Sequence, residues 1–148
     1  MAPNLDMNRS ASTDGEEPEF YAEPSSSWWY GGGSAVVPGW NNDWVDMFSW
    51  TESSEPVDYI DVIGSSVVEG WLRWAGIAAY EDYHQAVVGY IHDRTHDLAN
   101  SFDQYGDHWL ERHDLPGQQE FPMGVSCSPS FYCHNFLTWA HTYIWNWP

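Results

Sequence analysis

The large apolar residues between residues 67 and 99 recur at the spacing of a helix. They are separated by intervals of mostly three, four or seven residues, and they are Trp71, Trp74, Ile77, Tyr80, Val87, Ile91 and Leu98. Such intervals place side chains on one face of an α-helix and are close to a heptad pattern. Ser66 and Glu69 fit a capping box that would satisfy the first amide groups of this helix. The pattern therefore predicts a long central helix from about 67 to 99.

Shorter helices are predicted on both sides of the long one. One lies between Asn42 and Trp50, and a second begins at Pro56 and is stopped by Gly64. A second capping-box pattern predicts a third helix from about 102 to 112. No sustained strand alternation is evident, although residues 33–38 could form one short strand. The predicted fold is mainly α, with a long central helix and short flanking helices.

The two ends of the chain differ from this helical part. Residues 1–35 are rich in Ser, Pro, Gly and acidic residues and have almost no aliphatic side chains, which is typical of a flexible, extended acidic arm. Within it, the run from Gly31 to Gly33 is typical of a linker. The C-terminal segment beyond residue 116 has Glu120 as its only charged residue and is crowded with aromatics. The predicted organisation is an N-terminal acidic arm, 1–35, and a single small helical domain, 36–148.

The aromatic residues of these two end segments are the candidate protein contacts. Three adjacent aromatics left in water on a flexible arm would promote aggregation, so we expect them to dock on a neighbouring subunit or on their own domain. The C-terminal aromatics form either a contact surface or a face that packs on the long helix. The candidate interface residues are Trp28, Trp29, Tyr30, Phe136, Trp139, Tyr143, Trp145 and Trp147.

The charge of the chain narrows the choice of partners. It has 22 acidic residues and four basic ones, all arginine, for a formal net charge of −18. Nucleic-acid phosphates and anionic membrane surfaces both attract basic patches, so we expect no direct contact with either. There is no run of 18 apolar residues and no evident signal peptide. The expected location is the cytoplasm or a virion assembled there.

Two physical interpretations of this acidity compete. In molar salt the Debye length falls to about 3 Å, so repulsion among carboxylates is largely screened and a lysine-free acidic surface is tolerated. Proteins of halophilic archaea and their viruses resemble this chain in composition. Alternatively, the carboxylates mimic DNA phosphates and occupy the groove of a DNA-binding enzyme.

One histidine pair has the spacing of a metal site. On a helix, His92 and His96 would project from the same face, and His84 lies two turns earlier on it. The spacing resembles the His-Glu-x-x-His zinc motif, but Asp93 replaces the glutamate base with a shorter side chain. The competing interpretation is a solvated helix face on which histidines alternate with carboxylates.

The two cysteines leave three alternatives open. Cys127 and Cys133 could close a small disulfide loop, remain two buried thiols, or join His134 and His141 in a small metal site. No Gly-x-Ser-x-Gly elbow and no phosphate-binding Gly-x-x-x-x-Gly-Lys motif is present. No cofactor and no enzymatic activity is therefore predicted.

The predicted function is that of a structural or accessory component that binds other protein chains in a homo- or hetero-oligomeric assembly. A virion protein of a halophilic system is its most concrete form. The alternatives are an acidic DNA mimic that inhibits a DNA-binding enzyme and a small metalloenzyme that uses the His92/His96 pair. Exposed tryptophans also stack sugars, but sugar-binding modules are usually strand-rich, which argues against carbohydrate binding by a helical chain.

Overall fold

The described part of the chain is all-β. A computed structural model describes residues 12–15, 19–22, 28–39, 44–85, 89–96, 98–115 and 127–144, and within these ranges no helix occurs. The strands are β1 (Ser12–Gly15), β2 (Glu19–Ala22), β3 (Trp29–Pro38), β4 (Val45–Ser53), β5 (Val57–Val68), β6 (Trp71–Gln85), β7 (Gly89–Thr95), β8 (Ser101–Arg112) and β9 (Tyr132–Tyr143). Among the residues described there is accordingly no helix with the length and apolar character needed to cross a membrane.

The strands form two antiparallel sheets that pack face to face. The five-stranded sheet has the order β1-β9-β8-β5-β6, and the four-stranded sheet has the order β2-β3-β4-β7. Strands β3 and β4 contact β8, while β9 contacts β3 and β5 contacts both β4 and β7. Two sheets stacked in this way enclose one layer of side chains, as in a β-sandwich.

The prediction of a long helix from 67 to 99 is wrong. Glu69 and Gly70 are the two central residues of a hairpin turn that joins β5 to β6, with φ angles of 53° and 81°. Two positive φ angles are what a type I′ turn requires, and such turns fit the twist of paired strands. Instead of capping a helix, the Ser66 hydroxyl donates to Gln104 Oε1 at 2.6 Å. In β6 an irregularity opposite Ser66 and Val67 places Trp71 and Trp74 on the same side of the sheet, whereas Ile77 lies on the other side, so their helical spacing does not mark one face.

The shorter predicted helices are wrong for a second reason. The segment from 102 to 112 is β8, the segment near Trp50 is β4, and the segment after Pro56 is β5. In these strands many inward positions are polar and many outward positions are apolar, so the usual alternation of a half-buried strand is absent. Within the aromatic C-terminal segment, residues Tyr132–Tyr143 likewise form a strand, β9.

Strands also occur within the predicted acidic arm. Ser12–Gly15 pairs with β9, Glu19–Ala22 pairs with β3, and the glycine run that suggested a linker lies inside β3. Trp28 and Tyr30 are fully buried, and the indole Nε1 of Trp28 donates to Ser53 Oγ at 2.9 Å. These aromatics therefore anchor the sandwich of their own chain.

Two apolar clusters occupy the two ends of the sandwich interior. One contains Trp28, Tyr30, Val57, Ile60, Leu110, Tyr132 and Phe136. The other contains Val36, Val45, Met47, Phe102, Ala140 and Ile144. Near the first cluster, Cys127 and Cys133 form a disulfide bond that closes the loop leading into β9, which resolves the alternatives left open by the sequence.

Between the apolar clusters the interior is polar and hydrogen-bonded. The imidazole of His108 joins the sheets, with Nδ1 2.7 Å from Thr51 Oγ1 and Nε2 2.7 Å from Thr138 Oγ1. The Thr138 hydroxyl is hydrogen-bonded to the Ser34 hydroxyl at 2.8 Å, and the Ser34 hydroxyl is hydrogen-bonded to that of Ser49 at 2.9 Å. The Gln104 amide then donates to Ser49 at 2.9 Å. All five of these partners are buried.

Two glycines make room for the His108 ring. A Cβ at Gly32 would lie 2.2 Å from the Trp50 carbonyl oxygen and 2.9 Å from His108 Nδ1. At Gly106 it would lie 2.6 Å from His108 Nε2 and 2.8 Å from Thr138 Oγ1. Because these separations are below van der Waals contact, any side chain at either position would displace the imidazole or the opposite strand.

We expect Gly32→Ala to lower the free energy of unfolding by about 1 to 3 kcal/mol, the usual cost of overfilling a packed interior. Urea unfolding followed by tryptophan fluorescence measures this change. Gly70→Asn is the matched control, because that position has open space around it and asparagine tolerates a positive φ. An equal effect of both substitutions would contradict the close approach at Gly32.

Candidate functional site

The outward side of the five-stranded sheet exposes large apolar side chains. Outward positions of β5, β8 and β9 are the odd-numbered ones, because their even-numbered neighbours face the other sheet. Exposed fractions there reach 41% for Ile63, 45% for Tyr105, 58% for Leu137 and 43% for Tyr143. We call Ile63, Tyr105, Leu137, Trp139 and Tyr143 the outer patch.

The strand register brings most of the outer patch together. Asp107 of β8 lies between Ile63 and Leu137 on its two neighbouring strands. One step along, Tyr105 pairs with Trp139, and the two rings stack with centroids 6.5 Å apart and an interplanar angle of 17°. Tyr105 is also the diagonal neighbour of both Ile63 and Leu137, because it lies two positions from Asp107 on β8. Diagonal pairs are within reach of aromatic side chains, so these residues form one surface in which Asp107 separates the two aliphatic side chains.

The polar groups within this surface are hydrogen-bonded to one another. Asp103 Oδ1 accepts hydrogen bonds from Trp139 Nε1 at 2.8 Å and lies 2.9 Å from His141 Nδ1. The Asn135 amide donates to Asp107 Oδ1 at 2.6 Å. Because the indole N–H already has a partner, what the outer patch offers to a ligand is mainly apolar surface with carboxylates between.

Asp61 is nearly buried, unlike the other outward carboxyls of β5, β8 and β9 such as Asp107. Its exposed fraction is 9%, and the Tyr59 hydroxyl donates to its Oδ2 at 2.8 Å. Burial raises the pKa of Asp61 to about 6, the Tyr59 hydrogen bond opposes the rise, and the nearby charges of Asp107 and Glu111 add to it. A carboxyl with this pKa changes charge just below neutral pH.

The structure does not bring the predicted metal ligands together on one face of a helix. His92 lies on β7, where its Nε2 is 2.7 Å from Asp46 Oδ1 and its ring stacks on Phe48 at 4.5 Å. His96 follows the end of β7 and is exposed, while the backbone of His84 lies on β6 in the other sheet. In an extended strand, residues four apart are separated by about 13 Å, too far to share one ion. Within the described ranges, no group of three or more His, Cys, Asp or Glu is placed to hold a metal.

His92 instead belongs to a cluster of charged groups around Asp46. Arg94 donates to both carboxylate oxygens of Asp46, from Nε at 2.7 Å and from Nη2 at 2.8 Å, and its guanidinium lies 4.0 Å from the centre of the Trp44 ring. Burial alone would raise the pKa of Asp46, but the hydrogen bonds from Arg94 and His92 outweigh it and hold the pKa below its ordinary value. These contacts give His92 a structural role in the four-stranded sheet.

The predicted interface residues fall into three groups. Trp28, Tyr30 and Phe136 are buried in the chain's own core, and Trp29 is 42% exposed at the start of β3. Trp139 and Tyr143 lie in the outer patch. Trp145 and Trp147 lie outside the described residues.

Sequence reasoning missed three members of the outer patch: Ile63, Tyr105 and Leu137. Each was assigned to a helix or left without a role, because recognising it requires the two-residue period of a strand. The available signal was the hairpin pair Glu69-Gly70, which would have set the strand alternation on both sides of it.

Comparisons with known proteins assign no family to the chain. No protein-family model matches it, and no curated protein or solved structure does so. Function is therefore inferred from the residues of the site and their geometry.

Asp61→Asn is expected to stabilise the protein at neutral pH. The pKa of Asp61 in the folded chain is above the ordinary value of 3.8, so protonation favours folding and this contribution is lost as pH rises through about 6. Removing the ionised carboxylate should raise the free energy of unfolding by about 1 to 2 kcal/mol at pH 7.5 and by little at pH 4.

Urea unfolding at the two pH values measures this difference. Asp107→Asn, an exposed carboxyl on the same side of the sheet, should change stability by only a few tenths of a kcal/mol. A stabilisation by Asp61→Asn that is the same at pH 4 and pH 7.5 would contradict the raised pKa.

Proposed function

We propose that this chain is a non-enzymatic, protein-binding component of a larger assembly and that the outer patch is its contact surface. The observation that carries the proposal is the exposure of Ile63, Tyr105 and Leu137 on three paired strands, with Tyr105 diagonal to both aliphatic side chains. Monomeric proteins rarely leave such contiguous apolar surface in water, and where they do it usually marks a binding site.

The outer patch offers apolar area that a partner would cover. Full burial of an exposed Leu or Ile side chain contributes about 1.5 to 3 kcal/mol, and Ile63 and Leu137 are 41% and 58% exposed, so covering either contributes roughly half of that. The stacked Tyr105 and Trp139 rings are of the residue types most enriched at binding hot spots. Strands already fixed by pairing on both sides lose little conformational entropy on binding.

The charge around the outer patch indicates the chemistry of the partner. Asp103, Asp107 and Glu111 occupy outward positions of β8 among the apolar residues, in a chain whose formal net charge is −18. Complementarity therefore favours a partner that surrounds an apolar centre with Arg or Lys. In molar salt, where such charges are screened, the apolar contact would remain. A virion or comparable assembly of a halophilic system fits both properties.

Two earlier alternatives receive less support from the same residues. A DNA mimic needs carboxylates in a phosphate-like series, and on the described sheet Ile63 and Leu137 interrupt that series. A metalloenzyme that uses His92 and His96 needs the helical spacing that β7 does not have. The buried His108 and Thr138 have exposed fractions of 0% and 2%, so neither is accessible to a substrate.

Carbohydrate binding is the second candidate, on the strength of one observation. The stacked Tyr105 and Trp139 rings lie on an open sheet face beside carboxylate and amide groups, and the objection that the chain is helical no longer applies. The aliphatic side chains of Ile63 and Leu137 cannot stack or hydrogen-bond a sugar, which favours a protein ligand. A glycan array probed with wild type and with Trp139→Ala would detect sugar binding.

The protein-contact proposal is tested by site-specific photo-cross-linking in the cells that make the protein. A photoreactive residue at position 137 or 63 should capture the same protein, and one at position 98 should not. Leu98 is the control because it is 73% exposed but lies in the β7–β8 connection.

Once the captured protein is purified, its affinity for each variant can be measured. Leu137→Glu should weaken binding at least tenfold, because it places a charge where the complex would bury an aliphatic side chain. Leu98→Glu should leave binding unchanged. Equal binding by wild type and Leu137→Glu would place the contact elsewhere and overturn the proposal.

A further inference from the structure

Strand β6 is the end strand of the five-stranded sheet and is exposed along much of its length. Exposed fractions are 80% for Trp71, 66% for Leu72, 37% for Trp74 and 59% for Ile77. An end strand presents a row of backbone N–H and C=O groups that can pair with another strand. Natural edge strands are usually shortened, bulged or protected by charges. β6 has one pairing irregularity near Arg73, but its Trp71–Ala79 part is nine residues long and has a single charge among exposed or half-exposed residues.

The charge of this edge favours a second copy of the same chain. The stretch from Gly70 to Tyr80 has no acidic residue, and its single arginine, Arg73, bonds to Asp93 of β7 at 3.1 Å. Two copies that meet here bring no carboxylates against each other. At the outer patch they would oppose Asp103 and Asp107 to the same residues of the other copy, which is unfavourable.

The side-chain sizes at the centre of the exposed part of β6 are self-complementary. An antiparallel pairing centred on Ala75 sets Trp74 of each strand against Gly76 of the other and Arg73 against Ile77. Beyond Arg73 the pairing irregularity of β6 changes the side on which Leu72 and Trp71 lie, so the match is confined to this centre. In that register Trp74 of one copy lies beside Gly76 of its partner, and both residues face the same side of the sheet.

We propose that the protein forms a two-fold symmetric dimer in which β6 pairs antiparallel with β6 of a second copy, with the axis near Ala75. The pairing joins two five-stranded sheets into one continuous sheet. It uses a different surface from the outer patch and goes beyond the proposed function, since each chain of the dimer keeps its own outer patch free for a partner.

Opposite charges at position 75 provide the first test. Ala75 is exposed and faces away from the sandwich interior, opposite Ser65 of β5, so the monomer should accept either charge. In 0.15 M salt we expect wild type to sediment as a dimer. Ala75→Lys and Ala75→Glu should each dimerise at least tenfold more weakly, because like charges face each other at the axis. An equimolar mixture should recover the wild-type affinity.

A cysteine cross-link provides a second test that holds at any salt concentration. Cys127 and Cys133 are bonded to each other, so Ala75→Cys introduces the only free thiol among the described residues. Directly paired residues have Cα separations within disulfide range, so Ala75→Cys should oxidise to a covalent dimer, and Leu98→Cys should not.

The results separate this proposal from the proposed function. A wild-type monomer at 100 μM together with no cross-linking of Ala75→Cys would overturn the dimer. Wild-type dimerisation of both Ala75→Lys and Ala75→Glu, each measured without the other, would also overturn it. Either result leaves the outer patch to its own test, because Leu137→Glu changes partner binding and should not change the sedimentation of the dimer.

Discussion

The sandwich depends on the placement of one uncharged imidazole between its sheets. The Thr51 hydroxyl donates its proton to the Asp61 carbonyl at 2.8 Å, so the oxygen of Thr51 must accept from His108 Nδ1. Nδ1 therefore carries the proton, and Nε2 accepts from the Thr138 hydroxyl. Burial lowers the pKa of His108 to about 3, although a hydrogen bond to the Trp50 carbonyl opposes the shift. With this proton arrangement every polar atom of the ring has a partner, and Gly32 supplies the space that it needs.

The polar centre of the interior is matched by apolar side chains on the outer side of the five-stranded sheet. Ser34, Ser49, Gln104 and Thr138 occupy inward positions that a typical sandwich would fill with aliphatic side chains, so the apolar residues between the sheets are concentrated in the two end clusters. A third buried cluster, on the other side of β3 and β4, contains Ala35, Val37, Phe48 and Trp50. Apolar side chains such as Ile63 and Leu137 instead occupy outward positions on the five-stranded sheet. Polar residues thus occupy inward positions and apolar residues occupy outward ones. This inversion makes the core depend on hydrogen bonds and leaves the apolar surface that we assign to partner binding. The acidic residues keep the rest of the surface hydrated.

This inversion also explains what sequence reasoning could recover. Of the aromatics that the sequence singled out, Trp139 and Tyr143 lie in the outer patch and Trp28, Tyr30 and Phe136 lie in the core, but the predicted fold class was wrong. Alternation is visible in a sequence only when inward residues are apolar, and β8 alternates Gln104, Gly106 and His108 with Tyr105 and Asp107. Of the intervals of three that imitate a helix in β6, the one between Trp71 and Trp74 spans a pairing irregularity near Arg73. The one between Trp74 and Ile77 joins residues on opposite sides of the sheet. The pairing of His108 with Thr51 and Thr138 joins residues far apart in sequence, and no local pattern encodes it.

NMR of a sample with ¹⁵N-labelled histidine between pH 4 and pH 8 tests whether His108 is held between the sheets as a neutral imidazole. The ring nitrogens of His108 should show the Nδ1-protonated neutral form throughout this range, with no titration, because the pKa is about 3. A His108 signal that titrates near 6.5, or one that reports the opposite tautomer, would show that the sheets are not joined in this way.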